Sequence, residues 1–170
     1  MSFDYCFPWG YGSGGEDKTI PVLVGREDEH SATVCSIVPK KGAAYKKVVQ
    51  RVAEWMDETG YPRMIIKTDQ EGPIKSLQDE VQELRRDKVT IPENSPKNDP
   101  ASNGAAERAV QEVKAFIGTL ALQLEDRIKM KIPPQSPIMS WLVRHVGTIL
   151  TRLKINEKTR STPYEGMKGK

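Results

Sequence analysis

Three acidic residues stand where acids are uncommon. Asp4 lies inside the aromatic run at residues 2–7, Asp69 closes the apolar run at 64–68, and Glu107 follows a Pro- and Asn-rich segment at the start of an amphipathic stretch. A carboxylate in apolar surroundings is costly unless it is paired or bound to a cation. An acid on a first helical turn is, taken alone, ordinary favourable electrostatics with the helix dipole. If the three converge, their mutual repulsion makes bound divalent cations favourable. Hard oxygen donors with no His or Cys nearby select Mg²⁺, with Mn²⁺ able to substitute. Two such ions about 4 Å apart can clamp the attacking and leaving oxygens of a phosphodiester during in-line displacement, so no side chain needs to form a covalent bond.

Convergence depends on the elements that carry these acids. Residues 2–7 alternate Phe3, Tyr5 and Phe7 with Ser2, Asp4 and Cys6, the period of a strand, and put Asp4 on the face of Cys6. The glycine-rich segment 8–15 reads as a hairpin loop. Two further strands, 19–24 and 31–38, flank the charged turn 26–30, which makes a three-stranded antiparallel meander. From Gly42 the period changes: Tyr45, Val48, Val49, Val52, Trp55 and Met56 share one helical face, and Gly60 with Pro62 ends that helix. Residues 64–68 form a strand covered on both faces, with Asp69 at its C-terminal end, where ligand sites concentrate. A helix with Ile74, Leu77, Val81 and Leu84 inward and a short strand at 88–91 come next.

A loop at 95–103 then enters a long helix. Ser102 or Asn103 can cap it, and Ala106, Ala109, Val110, Val113, Phe116, Ile117, Leu120 and Leu124 make its buried face. After a linker at 128–135, a last helix begins near Ser136 and turns Trp141, Leu142, His145, Val146, Ile149, Leu150 and Leu153 to an apolar face. His145 and Trp141 read as packing residues of that stripe. A right-handed crossover from the meander lays the 64–68 strand parallel to the first. The expectation is an α/β ribonuclease-H-like fold: a five-stranded mixed sheet, three strands antiparallel and then two parallel, flanked by helices.

At 170 residues the chain suits one domain spanning 1–170. Its net charge of +3 conceals an asymmetry: residues 127–170 hold ten Lys or Arg against two acids, so the remainder is acidic. A basic helical C-terminal part beside an acidic body suits contact with a phosphate backbone on one side and cations on another. No apolar stretch approaches a membrane span and no secretory leader is evident, so an intracellular chain with no membrane partner is expected. Cys6 and Cys35 read as reduced, buried thiols, and His30 and His145 are too isolated to complete a zinc site.

Residues 102–107, Ser-Asn-Gly-Ala-Ala-Glu, resemble the S-x-G-x-x-E sequence that carries the glutamate of retroviral and LTR-retrotransposon integrases, the D,D-35-E family. Asp4 in SFDYCF, Asp69 in MIIKTDQEG and the TPYE at 162–165 extend the resemblance over most of the chain. The resemblance implies a catalytic core with Asp4, Asp69 and Glu107 as catalytic metal ligands, Asp4 bridging two Mg²⁺ ions and the other acids each completing one. It implies cleavage of element DNA ends and their transfer to target DNA, with water or a 3′-hydroxyl as nucleophile. By the same correspondence Asn103 and Lys114 approach DNA, and Arg108 beside Glu107 is a further DNA-binding candidate. Homodimers or higher homo-oligomers and a nuclear site of action are also implied.

The sequence departs from that pattern in places. Between Asp69 and Glu107 there are 37 residues rather than 35, and Gln70 and Glu71 follow Asp69 where many relatives have Asn and Gly, which adds an acid near the site. The zinc-binding and C-terminal DNA-binding modules of the family have no counterpart here, so the chain reads as a core alone, from a polyprotein or a degenerate element copy. Two other readings stand beside the integrase: a non-catalytic descendant that binds nucleic acid or a partner, and a ribonuclease H or junction-resolvase type nuclease.

Overall fold

The computed structural model describes residues 1–9, 20–94, 104–157 and 159–169. Its strands are β1 (Ser2–Cys6), β2 (Val22–Arg26), β3 (Thr33–Ile37), β4 (Arg63–Thr68) and β5 (Val89–Asn94). Its helices are α1 (Lys46–Glu58), α2 (Gly72–Leu84), α3 (Gly104–Ile128), α4 (Pro137–Arg152) and α5 (Pro163–Lys168). One five-stranded sheet runs β3-β2-β1-β4-β5. β1, β2 and β3 pair antiparallel, while β4 joins β1 in parallel and β5 joins β4 in parallel. This is the expected mixed sheet, with β1 at its centre.

The alternation of β1 divides the molecule into two layers. Phe3 and Tyr5 pack with Val49, Val52 and Met56 of α1 and Ile74, Leu77 and Val81 of α2. Cys6, on the other face, packs with Val22, Val24 and Cys35 against Ala109, Val113 and Ile117 of α3 and Leu142, Val143 and Val146 of α4. Close packing depends on glycines: within the sheet a Cβ on Gly25 would lie 2.4 Å from the Phe3 ring of the neighbouring strand, and between α4 and β3 one on Gly147 would lie 3.2 Å from the Cys35 amide. Cys6 and Cys35 are free, buried thiols, and burial pushes each up to about 12. Cys35 donates to the Val143 carbonyl at 2.8 Å, which ties β3 to α4.

Several details differ from the sequence expectation. β2 begins and ends later than the expected 19–24, because Arg26 pairs in register with Ser2 and Thr33. β5 continues through Pro92 to Asn94; proline is tolerated there because β5 is an edge strand. In α4 the buried stripe centres on Met139, Leu142, Val143, Val146, Gly147 and Leu150, rotated from the expected face. Trp141 is therefore 57% exposed, and Leu153, beyond the helix, is 67% exposed. Leu84 at the end of α2 and Tyr45 at the cap of α1 are likewise exposed, since the faces they extend run out of neighbours at the helix ends. Among the described residues, no helix is long and apolar enough to cross a membrane.

Candidate active site

β1 and β4 bring two of the expected acids side by side. Ser2 is level with Lys67 across the parallel pair, and the same register carried two residues on puts Asp4 level with Asp69. Strand alternation sends Met64, Ile66 and Thr68 into the α2 side, so Asp69 continues the opposite row of Ile65 and Lys67. Asp4 likewise sits opposite in sense to Phe3 and Tyr5, on the layer of α3. The parallel topology thus aligns two carboxylates that are far apart along the chain.

Their electrostatics reflect that placement. Burial pushes the Asp4 carboxyl up to about 6; the Tyr5 N–H, donating to Asp4 Oδ1 at 2.6 Å, opposes this, and the charges of Asp69 and Glu71 add to it. Lys41 pulls the other way. Asp69 accepts from the Glu71 N–H at 3.0 Å, a local turn that fixes the start of the segment leading to α2. Asp4 is thus a half-buried acid held among negative charge, the environment that favours a bound cation over an unpaired carboxylate.

Glu107 lies on the first turn of α3 and is exposed. Asp4, Asp69 and Glu107 do not, among the described residues, close into a set with ligand atoms all within 4.8 Å of one another. Glu27, Glu29 and His30 at the β2–β3 turn do, but Glu27 there accepts from the N–H groups of Glu29 and His30 and so caps its own turn. Lys114 stands two helical turns beyond Glu107, close enough to Cys6 for its charge to act on that thiol, which puts it near the C-terminal end of β1. Arg108 is exposed on α3. Asn103 lies outside the described residues.

Two groups of charges escaped the sequence reading. Lys41, in the connection between β3 and α1, pairs with Glu71 at 2.8 Å, and its charge acts on Asp4. The KK of residues 40–41 carries no periodic signal; only tertiary proximity distinguishes Lys41. The second group is Glu112 of α3, which binds both Arg26 of β2 and Lys154 beyond α4. Burial pulls the Glu112 carboxyl up, but hydrogen bonds from Lys154 and Arg26 outweigh it and hold the group below the usual range. This clamp fixes α3, and with it Glu107 and Lys114, against the sheet.

Away from the aspartates, α1, β3, α4 and α5 enclose a groove of about 610 Å³ lined by Arg51, Trp55, Trp141, Arg144, His145 and Tyr164 among others. Trp141 stacks on His145 with ring centroids 4.7 Å apart; His145 is half-buried, whereas Trp141 is exposed and so is not the core residue its helical position suggested. The TPYE residues form the start of α5, where Thr162 and Glu165 make a reciprocal capping box.

No protein-family model and no curated protein matches the sequence. Solved structures do match in fold. A chain of the simian T-cell lymphotropic virus intasome, solved in complex with the PP2A regulatory subunit B56 gamma, superposes with a TM-score of 0.71 at 13% identity, covering 98% of this chain and 52% of that one. The catalytic core domain of BIV integrase gives 0.64 at 13% identity over 99% of this chain and 92% of that one. The HTLV-2 integrase catalytic core domain, solved with magnesium in a trimeric form, gives 0.64 at 15% identity over 96% and 92%. The chain thus spans about half the length of the intasome chain and nearly all of the two isolated cores. Its fold is that of retroviral integrase catalytic cores, the ribonuclease-H-like fold.

Proposed function

We propose that this chain is the catalytic core of an integrase-type polynucleotidyl transferase, acting on DNA ends in the integration of a retroelement. The observation that carries the reading is the placement of Asp4 on β1 and of Asp69 just past the end of the adjoining parallel strand β4, with the charge of Asp69 acting on Asp4, in a fold shared with integrase cores. Asp4, Asp69 and Glu107 are the residues that would hold divalent cations, and the all-oxygen donor set with raised proton affinity at Asp4 fits Mg²⁺ or Mn²⁺. Bound there, such ions supply Lewis-acid activation of a phosphodiester and of the attacking water or 3′-hydroxyl.

The chain's own residues do the rest. The Tyr5 N–H orients the Asp4 carboxylate, and the turn that joins Asp69 to Glu71 orients the second acid. The clamp of Arg26, Glu112 and Lys154 ties α3 to β2 and to the segment after α4; in this reading Glu107 completes the metal site from the first turn of α3, and Lys114, two turns on, meets phosphate. Arg108 and Asn103 extend that phosphate-binding edge. A nuclear site of action follows from DNA as substrate. Self-association fits the groove face, where Glu54 and Glu58 of α1 and Arg144 and Arg152 of α4 offer opposite charges to a second copy.

A second reading, a non-catalytic module that binds nucleic acid or a partner on the same fold, is favoured by one observation: Glu107 is exposed and outside any closed ligand set. Incubation of the protein with a labelled branched DNA substrate and a nicked-duplex assay, each with Mg²⁺ or Mn²⁺, separates the two. The integrase reading expects metal-dependent nicking or disintegration that Asp69→Asn abolishes. DNA binding with no cleavage in either metal favours the non-catalytic module, and cleavage indifferent to Asp69→Asn overturns the integrase-type site.

A further inference from the structure

We propose that Lys41 contacts the phosphate backbone of the nucleic-acid substrate beside the two aspartates, and that Glu71 competes for it and weakens that contact. The inference rests on the integrase-type reading and adds a substrate-binding residue with its own restraint. Lys41 reaches the site from the connection between β3 and α1: its Nζ is 2.8 Å from Glu71 Oε2, and Glu71 is two residues past Asp69. The same Nζ lies 5.4 Å from the ring centroids of Tyr5 and Phe7, which flank the end of β1 just beyond Asp4. The ammonium therefore stands at the C-terminal end of β1, over the rings on the other side of the strand from Asp4, and close enough for its charge to act on Asp4.

A purely structural role for the pair fits less well. The segment after Lys41 is already held by main-chain bonds, the Gly42 N–H donating to the Tyr5 hydroxyl at 2.9 Å and the Ala43 N–H to Ser76 Oγ at 3.3 Å. Gly42 supplies the positive φ of 102° that the turn requires. The Lys41 side chain adds little to that anchoring. Its partner is the outer member of the pair: the Glu71 side chain is 54% exposed, that of Lys41 26%. An ion pair so open to water contributes little stability, so it separates readily when a phosphate offers a stronger charge-assisted bond. A phosphate drawn to two aspartates loaded with cations would meet Lys41 at the flank, whereas Glu71 would repel it.

The two residues should therefore act on DNA with opposite sign. Fluorescence anisotropy of a fluorescein-labelled DNA duplex, titrated with protein at several salt concentrations, measures this, with thermal melts confirming that each variant is folded. Lys41→Gln is expected to weaken binding several-fold and to reduce the log–log salt slope by about 0.9, one phosphate contact. Lys41→Arg retains wild-type binding, which also guards against a folding defect in the Gln variant. Glu71→Gln tightens binding, and most of that gain disappears in a Lys41→Gln background. Equal gains from Glu71→Gln with and without Lys41 overturn the competition, and an unchanged salt slope in Lys41→Gln overturns the contact. A wild-type protein that binds no duplex at any salt concentration overturns the integrase-type reading, and this inference with it.

Discussion

Asp4 of β1 and Asp69, just past the end of the adjoining parallel strand β4, are close enough that the charge of Asp69 raises the proton affinity of Asp4. Burial is the larger cause, so the folded chain holds the Asp4 proton more tightly than the unfolded chain does. Ionising Asp4 therefore costs stability. The cost is absent well below the ordinary value of 3.8, grows as pH rises and is complete above about 6. A shift of this size corresponds to about 3 kcal/mol, and roughly half that after solvent screening of a partly solvated group. Asp4→Asn is expected to raise stability at pH 7.5 and to leave it nearly unchanged at pH 4, as read by urea unfolding at both values.

The same strain on Asp4 should be relieved by cations. Millimolar Mg²⁺ or Mn²⁺ at pH 7.5 raises the Tm by a few degrees, in line with about 1–2 kcal/mol of linkage for ligand in excess of its Kd. Asp69→Asn removes this gain. Differential scanning fluorimetry with and without EDTA reads it, and a wild-type Tm indifferent to both ions would count against the metal site.

Glu112 makes a different forecast, because its carboxylate neutralises the Arg26 guanidinium, whose side chain is only 14% exposed. Glu112→Gln leaves that charge without its partner, with Arg26 Nε already buried and unbonded, and should cost about 3 kcal/mol. The folded Glu112 carboxyl lies below its ordinary range, so its contribution is present above the unfolded value and is lost as pH falls through the folded one. Chemical unfolding at pH 7 and pH 3 should show the difference between wild type and variant shrinking in acid.

Gly25 tests the packing of the central sheet. A methyl group there would lie 2.4 Å from Phe3 Cε1 and 2.9 Å from Val34 Cγ1, between two side chains of neighbouring strands. Gly25→Ala should cost about 1–3 kcal/mol by forcing the Phe3 ring aside. A midpoint of denaturation equal to wild type would mean that the ring yields freely.

The order of elements and the mixed sheet were legible because the alternation of residues 2–7 and the helical stripes at 45–56 and 106–124 are local patterns, each repeated over its element. The parallel seat of β4 beside β1 could also be anticipated, since a right-handed crossover leaves little choice about which strand joins β1. Trp141 and Leu153 could not be placed from periodicity: α4 is apolar over a wide arc, and β3 together with α3 decides which part of the arc is covered. Lys41 and Glu112 were silent for a related reason. Their partners lie 30 and 86 residues away and come from other elements, so no spacing along the chain announces them. The family-like residues at 102–107 pointed to Glu107 without stating how far its carboxylate stands from the aspartates.

Pro92 bears on what this molecule does when crowded. β5 is the outer strand on its side of the sheet, and a proline in its middle removes a main-chain donor from a row that another strand would otherwise read as a template. Ile65 and Ile91, level with each other and partly open to solvent, would make that side adhesive if the row were complete. On this side of the sheet the imino acid thus acts as a guard against templated, fibre-like growth.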